Sequence, residues 1–341
     1  MRQVHRKAPA SRRHPALETI VSLEALLPQI EDPQRPVGTA QLTVLSNIEG
    51  EERERFLQVW RSLSVQRRRD IIDRLAELAE DNVELDFSNV FLAGLVDDDV
   101  QVRADSIKAL WDFDGREIIG PLLTLLRDPE ALVRADAALG LGRFLLRAEL
   151  DGRDDARTRD IEDALRAVIA DERELSEVRG RALEAAGARS KDWVRDAISD
   201  AYEGGDRRLR ISAVHAMGRN CGTAWLPALL EETESDDAEM RYEAARAAGA
   251  LGDEAAVPQL ALLADDDDAE VQEAAIEALG EIGGPSARSV LQSVAEEHDD
   301  GRVRVAVAEA LAAADFAEDP LGMRVRAGSA AAEDEDEDDD E

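Results

Sequence analysis

The side chains in this 341-residue sequence that could do chemistry are four histidines, one cysteine and many Asp, Glu and Arg. General acid–base catalysis needs a histidine or carboxylate held beside a partner. Metal binding needs His, Cys, Asp or Glu converging at short spacings. His5 and His14 lie in a basic N-terminal stretch, His298 in an acidic turn, and His215 in a column of polar, surface-type residues. The sequence holds no His-Glu pair and no HExxH, CxxC, GxSxG or P-loop string. Cys221 is the only cysteine, so no intramolecular disulfide can form. The sequence therefore nominates no catalytic residue, no cofactor-binding residue and no metal ligand. The other side chains with recognition chemistry are Trp193, Arg195, Tyr202 and Trp225, of the types enriched at protein-interface hot spots.

What must position these residues is a repeat. The strings RADSIKALW, RADAALGLG, RGRALEAAG, RISAVHAMG, RYEAARAAG, QEAAIEALG and RVAVAEALA begin at residues 103, 134, 179, 210, 241, 272 and 304. Successive starts are 31 or 32 residues apart, except for one step of 45. Counted from each start, small or apolar residues recur three, four and seven positions on, which is one face of a helix. Eight positions on stand Gly142, Gly187, Gly218, Gly249 and Gly280, which permit close backbone approach. Three residues later come Ser190, Cys221, Gly252 and Gly283, the expected turn. Segments such as IIGPLLTLLR, TAWLPALLEE and AAVPQLALLAD predict a second helix, with Pro121, Pro227 and Pro258 near its start. Acidic turns then close each unit, and their aspartates suit the positive end of the next helix.

A helix–turn–helix unit of this length resembles the HEAT-repeat family, in the short form of the phycobilin-lyase type. The resemblance is carried by DPEALVRADAALGLG (128–142), EMRYEAARAAGALGDEAAVPQLALL (239–263) and EVQEAAIEALGEIG (270–283), and it covers roughly residues 64–315. It implies an all-α superhelix of about seven or eight helical hairpins, each contacting only its neighbours. It also implies an Asp–Arg ladder, with Asp six residues before Arg. Asp97/Arg103 and Asp128/Arg134 fit that spacing, whereas the positions six before Arg179, Arg210, Arg241 and Arg304 hold other residues. All these arginines are expected to tie inter-repeat turns together through charge-assisted hydrogen bonds.

The resemblance leaves function open. Deoxyhypusine hydroxylase uses the same repeat and holds iron with His-Glu pairs. Here Arg, Pro, Ala and Asp follow the four histidines, which excludes that activity. HEAT-like DNA glycosylases need a basic groove, and this chain carries a formal charge of −35. Such acidity disfavours nucleic acid and favours a basic protein partner. The expected function is a non-catalytic protein–protein interaction scaffold, with a lyase- or chaperone-like subunit acting on a protein client as the alternative. In solenoids the second helix of each unit usually lines the inner wall, which is where Trp193, Arg195, Tyr202 and Trp225 are expected.

Composition sets the outline. Residues 1–38 read as a basic, flexible arm, although LETIVSLEALLPQI within it has the pattern of a short helix. Residues 39–316 read as the solenoid, with a divergent cap over 39–96 and an insertion near 147–159. Residues 317–341 read as a disordered acidic tail, since the last nine residues are all Asp or Glu. No apolar run approaches the roughly 18 residues of a membrane span, and the expected location is the cytoplasm.

Overall fold

Residues 22–318 are described in the computed structural model of the chain. The stretch before Ser22 and the acidic run after Glu318 lie outside the described residues. Every regular element among the described residues is helical, as the repeat implies. The chain divides between Phe113 and Asp114 into two compact units. This division falls between the two helices of the repeat anchored at Arg103.

The first unit holds α1 (Leu23–Glu31), α2 (Thr39–Leu42), α3 (Gly50–Trp60), α4 (Val65–Asp81), α5 (Ser88–Gly94) and α6 (Val100–Ala109). Ser22 caps α1 by accepting from the Ala25 amide, and Leu23, Leu26 and Ile30 are buried. Residues 22–38, placed in the flexible arm on sequence, are thus in part a packed helix resting on α3. The cause is the three-four spacing of those apolar residues, which gives α1 a face to bury. Phe56 and Trp60 supply the opposing aromatic surface, their rings 5.5 Å apart.

The second unit alternates first and second helices. The first helices are α8 (Ala131–Leu150), α10 (Ser176–Ala186), α12 (Arg207–Asn220), α14 (Ala238–Leu251), α16 (Ala269–Ile282) and α18 (Gly301–Glu318). The second helices are α7 (Ile119–Leu125), α9 (Ala156–Ala170), α11 (Asp192–Glu203), α13 (Leu226–Glu232), α15 (Val257–Leu263) and α17 (Gly284–Glu297). From α8 to α18 each first helix packs directly on the next. Side-chain aspartates start many of them: Asp155 caps α9, Asp206 α12, Asp237 α14 and Asp268 α16. Pro227 and Pro258 stand in the first turn of α13 and α15, where the missing N–H costs nothing.

The stack is close because the glycine column faces alanines of the following helix. A Cβ on Gly142, Gly187, Gly218, Gly249 or Gly280 would lie 2.9, 3.0, 2.7, 2.8 or 2.8 Å from the Cα of Ala185, Ala216, Ala247, Ala278 or Ala310. Those are backbone contacts, which no rotamer change can relieve. Small residues along this face therefore replace the large aliphatic core of an ordinary domain.

Termination follows the turn column. Gly252 caps α14 at φ 70° and Cys221 caps α12 at φ 51°, both left-handed. That conformation suits glycine and costs an L-residue roughly 1–2 kcal/mol. Cys221 is exposed, so little packing compensates. Cys221→Gly is therefore expected to stabilise the protein, by about 1 kcal/mol at most once the added chain entropy of glycine is counted. Thermal melting should show a rise of a few degrees; a fall would mean that the cysteine makes contacts worth more than the strain.

The insertion is not mainly loop. α8 extends to Leu150 and α9 begins at Ala156, so only residues 151–155 of the expected 147–159 segment lie outside helix. The extra length lengthens one first helix and one second helix.

Candidate protein-docking groove

The anchor arginines fix the turns on which the groove is built. Four of them reach a main-chain carbonyl of the turn behind, whereas Arg210 pairs with Glu232. Arg103 Nη1 donates to the Asp97 oxygen at 2.8 Å, Arg134 Nη1 to Asp128 at 2.8 Å, Arg241 Nη1 to Ser235 at 2.9 Å, and Arg304 Nε to His298 at 3.1 Å. All four carbonyls belong to the residue six positions earlier. The spacing is therefore met by backbone, which explains why Ser235 or His298 serves as well as aspartate.

Carboxylates engage the arginine of the repeat before. Asp97 Oδ2 lies 2.9 Å from Arg68 Nε and accepts from the Trp60 indole at 2.9 Å. Arg134 donates to both oxygens of Glu174 at 2.7 and 2.8 Å, and Arg241 to both of Asp266 at 2.8 Å. These bidentate contacts hold the Glu174 and Asp266 carboxyls below their ordinary range. Where Gln272 replaces the arginine, its amide donates to the Ala264 carbonyl at 2.9 Å. Arg179 Nε takes the Ile169 carbonyl at 2.9 Å.

A second charge cluster has no counterpart in the sequence reading. Arg189, in the turn after α10, is 2% exposed. Its Nε donates to Glu162 at 2.7 Å, its Nη1 to Glu149 at 2.7 Å, and its Nη2 to Asp154. Lys191 donates to the other Asp154 oxygen at 2.5 Å. Glu149 and Asp154 come from the insertion, so one guanidinium ties the extra residues to the next repeat. Hydrogen bonding from Lys191, then the Arg189 charge, holds the Asp154 carboxyl below its usual value. The signal available in sequence was an arginine in a turn column opposite an acid-rich insertion.

Between these anchors α9, α10 and α11 frame a groove of about 800 Å³. α9 and α11 are 15 and 12 residues long, against seven for α13 and for α15, and give the groove its length. Trp193 forms part of one wall, half-buried, with the exposed Arg166 guanidinium 5.7 Å from its ring centroid. Glu172, Asp196 and Asp200 are exposed at the rim. Asp196 and Asp200 are four apart on α11 and so lie on one face. Among the described residues no basic side chain pairs with any of the three.

The four residues singled out on sequence are not brought together. Trp193 lines the groove. Arg195 is on α11 but pairs with Asp192 in its own first turn. Tyr202, also on α11, donates its hydroxyl to the buried Glu232 at 2.7 Å and lies under Arg210, which also pairs with Glu232. Burial, with the Glu232 charge, pushes the Tyr202 phenol up. Trp225 is in a 3₁₀ turn (Thr223–Trp225) ahead of α13, its indole donating to Asn220 at 3.1 Å. Tyr202 and Trp225 are thus engaged in contacts between neighbouring elements. Arg166 and Glu172 were missed because nothing in the periodicity marks them. Among the described residues no cluster of His, Cys, Asp and Glu has metal-binding geometry, and no helix is long and apolar enough to cross a membrane.

A family model for HEAT repeats matches residues 88–156 and 226–312. No curated protein sequence matches the chain. Among solved structures, the complex of CpcE and CpcF of phycocyanin lyase from Nostoc sp. PCC7120 aligns with 17% identity and a TM-score of 0.51, over 84% of this chain and 99% of that one. Yeast importin-beta (Kap95p) aligns with 12% identity and a TM-score of 0.50, over 89% of this chain but only 48% of its own. Human deoxyhypusine hydroxylase aligns with 22% identity and a TM-score of 0.32, over 73% of this chain and 97% of that one. At these identities the likenesses to the CpcE–CpcF complex and to importin-beta show a shared helical-repeat fold.

Proposed function

We propose that this chain, which carries HEAT repeats over residues 88–156 and 226–312, is a non-catalytic scaffold that binds a basic protein segment in the groove between α9 and α11. The observation that carries the reading is the pairing of the Trp193 wall with three rim carboxylates that have no internal partner. An aromatic face offers apolar contact and cation–π attraction to Lys or Arg, while Asp196, Asp200 and Glu172 supply the opposite charge. The chain's excess acidity would speed encounter with such a partner at low salt.

The groove suits an extended segment better than a small metabolite. Its polar groups are spread over α9, the turn after it, α10 and α11 rather than converging on a point. Binding should therefore be salt-sensitive, and Asp196→Lys with Asp200→Lys should weaken it tenfold or more. The test is capture of basic protein partners from an extract of the native cell by wild type, Trp193→Ala and the double-lysine variant, with circular dichroism of each. Loss of one specific partner in both variants, with helicity intact, supports the groove. Equal capture by all three would reject it. If Trp193→Ala melts the protein, Trp193 belongs to the core, and the lysine variant alone decides.

A further inference from the structure

A second groove lies within the first unit, framed by α3, α4 and α5, with a volume of about 520 Å³. It repeats the register of the groove at Trp193. There Arg179 on α10 stands between α9 and α11. Here Arg68 on α4, the arginine engaged by Asp97, stands between α3 and α5. What differs is the sign of the free charge. Arg53 and Arg61 line this groove, and neither has a carboxylate partner among the described residues. The Nε of Arg53 is buried and has no acceptor among the described residues. Asp97 is engaged by Arg68 and by the Trp60 indole, which leaves Asp98 as the other acid of the lining.

Leaving a buried donor without an acceptor is unfavourable, and a carboxylate satisfies a guanidinium with strong, charge-assisted hydrogen bonds. Between the two arginines the surface is apolar. Leu57 and Leu92 are half-buried, and Val96 is 81% exposed. Arg53, Leu57 and Arg61 follow one another at four-residue intervals. Arg61, at the C-cap of α3, keeps helical backbone angles, so the three share a face. Helical rise puts the two arginines about 12 Å apart along the axis. In an extended chain, side chains four residues apart lie on one side about 13 Å apart, and the residue midway points the same way. A segment of the pattern acid–x–aliphatic–x–acid therefore matches the row of guanidinium, leucine and guanidinium.

We propose that the groove of the first unit binds an extended acidic segment of a partner protein, with its two carboxylates on Arg53 and Arg61 and its central aliphatic residue against Leu57 and Val96. The overall charge of −35 works against acidic ligands at long range, so recognition depends on this local pair of arginines and the apolar row between them. The chain then carries two grooves of the same register and opposite charge, one in each unit.

The test is fluorescence anisotropy of a labelled peptide, Glu-Ser-Leu-Ser-Glu flanked by glycines, titrated with the full chain. Saturable binding is expected, weakened about tenfold or more by Arg53→Gln and by Arg61→Gln. Arg55→Gln removes the same charge from a pair with Glu24 outside the groove, and should change affinity less than about twofold. Serine in place of the peptide's leucine, or glutamine in place of both its glutamates, should each weaken binding at least about fivefold. Circular dichroism follows each variant. Arg61 and Val96 are exposed, so Arg61→Gln and Val96→Asp, both expected to lose binding, decide the matter should Arg53→Gln unfold. Absence of saturable binding would overturn the proposal, as would equal losses in the Arg53, Arg61 and Arg55 variants. Inorganic phosphate, or a nine-residue peptide copying Glu333 to Glu341, would overturn it by competing as well as the patterned peptide, since negative charge alone would then suffice. Every substitution here lies in the first unit, so this proposal and the reading of the groove at Trp193 fail separately.

Discussion

Arg189→Ala should be among the most destabilising single substitutions in the second unit. Breaking a buried ion pair by removing one partner costs about 3–5 kcal/mol, because the remaining charge is left without compensation. Here three carboxylates are left. Their side chains are 30%, 44% and 14% exposed for Glu149, Asp154 and Glu162, so water compensates part of the loss. A cost of about 2–3 kcal/mol is expected. For a unit of this size that lowers Tm by roughly 5–10 °C. Arg189→Met keeps the packing of the stem and should lose somewhat less.

The pH dependence separates charge from packing. In the wild-type protein Asp154, Glu174 and Asp266 titrate below their ordinary values. Their stabilisation is complete above the unfolded values of about 4 and is lost as pH falls below that. Wild-type Tm should therefore decline on acidification below about pH 4. In Arg189→Ala the Asp154 carboxyl loses the Arg189 charge that helps hold it below its ordinary value, so the gap to wild type should narrow as pH falls through the ordinary carboxylate range of about 4. A gap that stays constant down to about pH 3 would assign the loss to a cavity instead.

Gly218→Ala is the second large effect, and its sign opposes helix propensity. Alanine is the better helix former by about 1 kcal/mol. Yet the new methyl would sit 2.7 Å from the Ala247 Cα, a backbone atom of α14. Relief requires α12 and α14 to separate along their length, which also loosens the contacts on either side. A net destabilisation of about 1–3 kcal/mol is expected, or a Tm drop of roughly 3–10 °C. Gly120→Ala on α7 is the control, because its Cβ would meet nothing within 4 Å. That substitution should be neutral or stabilising by up to about 1 kcal/mol. Adding Ala247→Gly to Gly218→Ala should restore only part of the loss, since the nearest atom is backbone rather than the Ala247 methyl. Equal melting of the Gly218 and Gly120 variants would reject the close-stack account.

The periodic features were legible in advance for a physical reason. A helix face buried by an identical neighbour imposes the same small-residue constraint every 31 residues, so the constraint is written repeatedly in the chain. The glycine column, the left-handed turn at Gly252 and the aspartate caps are each local or periodic demands of this kind. Features made once were not legible. The Arg189 cluster joins residues 27 to 40 positions apart on three elements, and no spacing rule announces it. The arginine ladder lay between these cases: its spacing was visible, but the acceptor is a carbonyl, a group every residue carries.

The candidate site divides along the same line. Trp193 stood out in the sequence because aromatic residues are rare here and its place on a second helix follows from the repeat; it packs in part against the core and in part lines the groove. Tyr202 and Trp225 met the same criteria and proved to be occupied within the fold, because whether a large polar-tipped ring faces a neighbour or solvent depends on where the next helix sits. The sequence alone determined the all-α hairpin repeat, its stacking face and its acidity, since these depend on composition and period. Only the tertiary structure decided that two lengthened second helices frame a groove and that three carboxylates at its rim have no basic partner among the described residues. Those depend on which side chains, distant in sequence, meet or fail to meet in space.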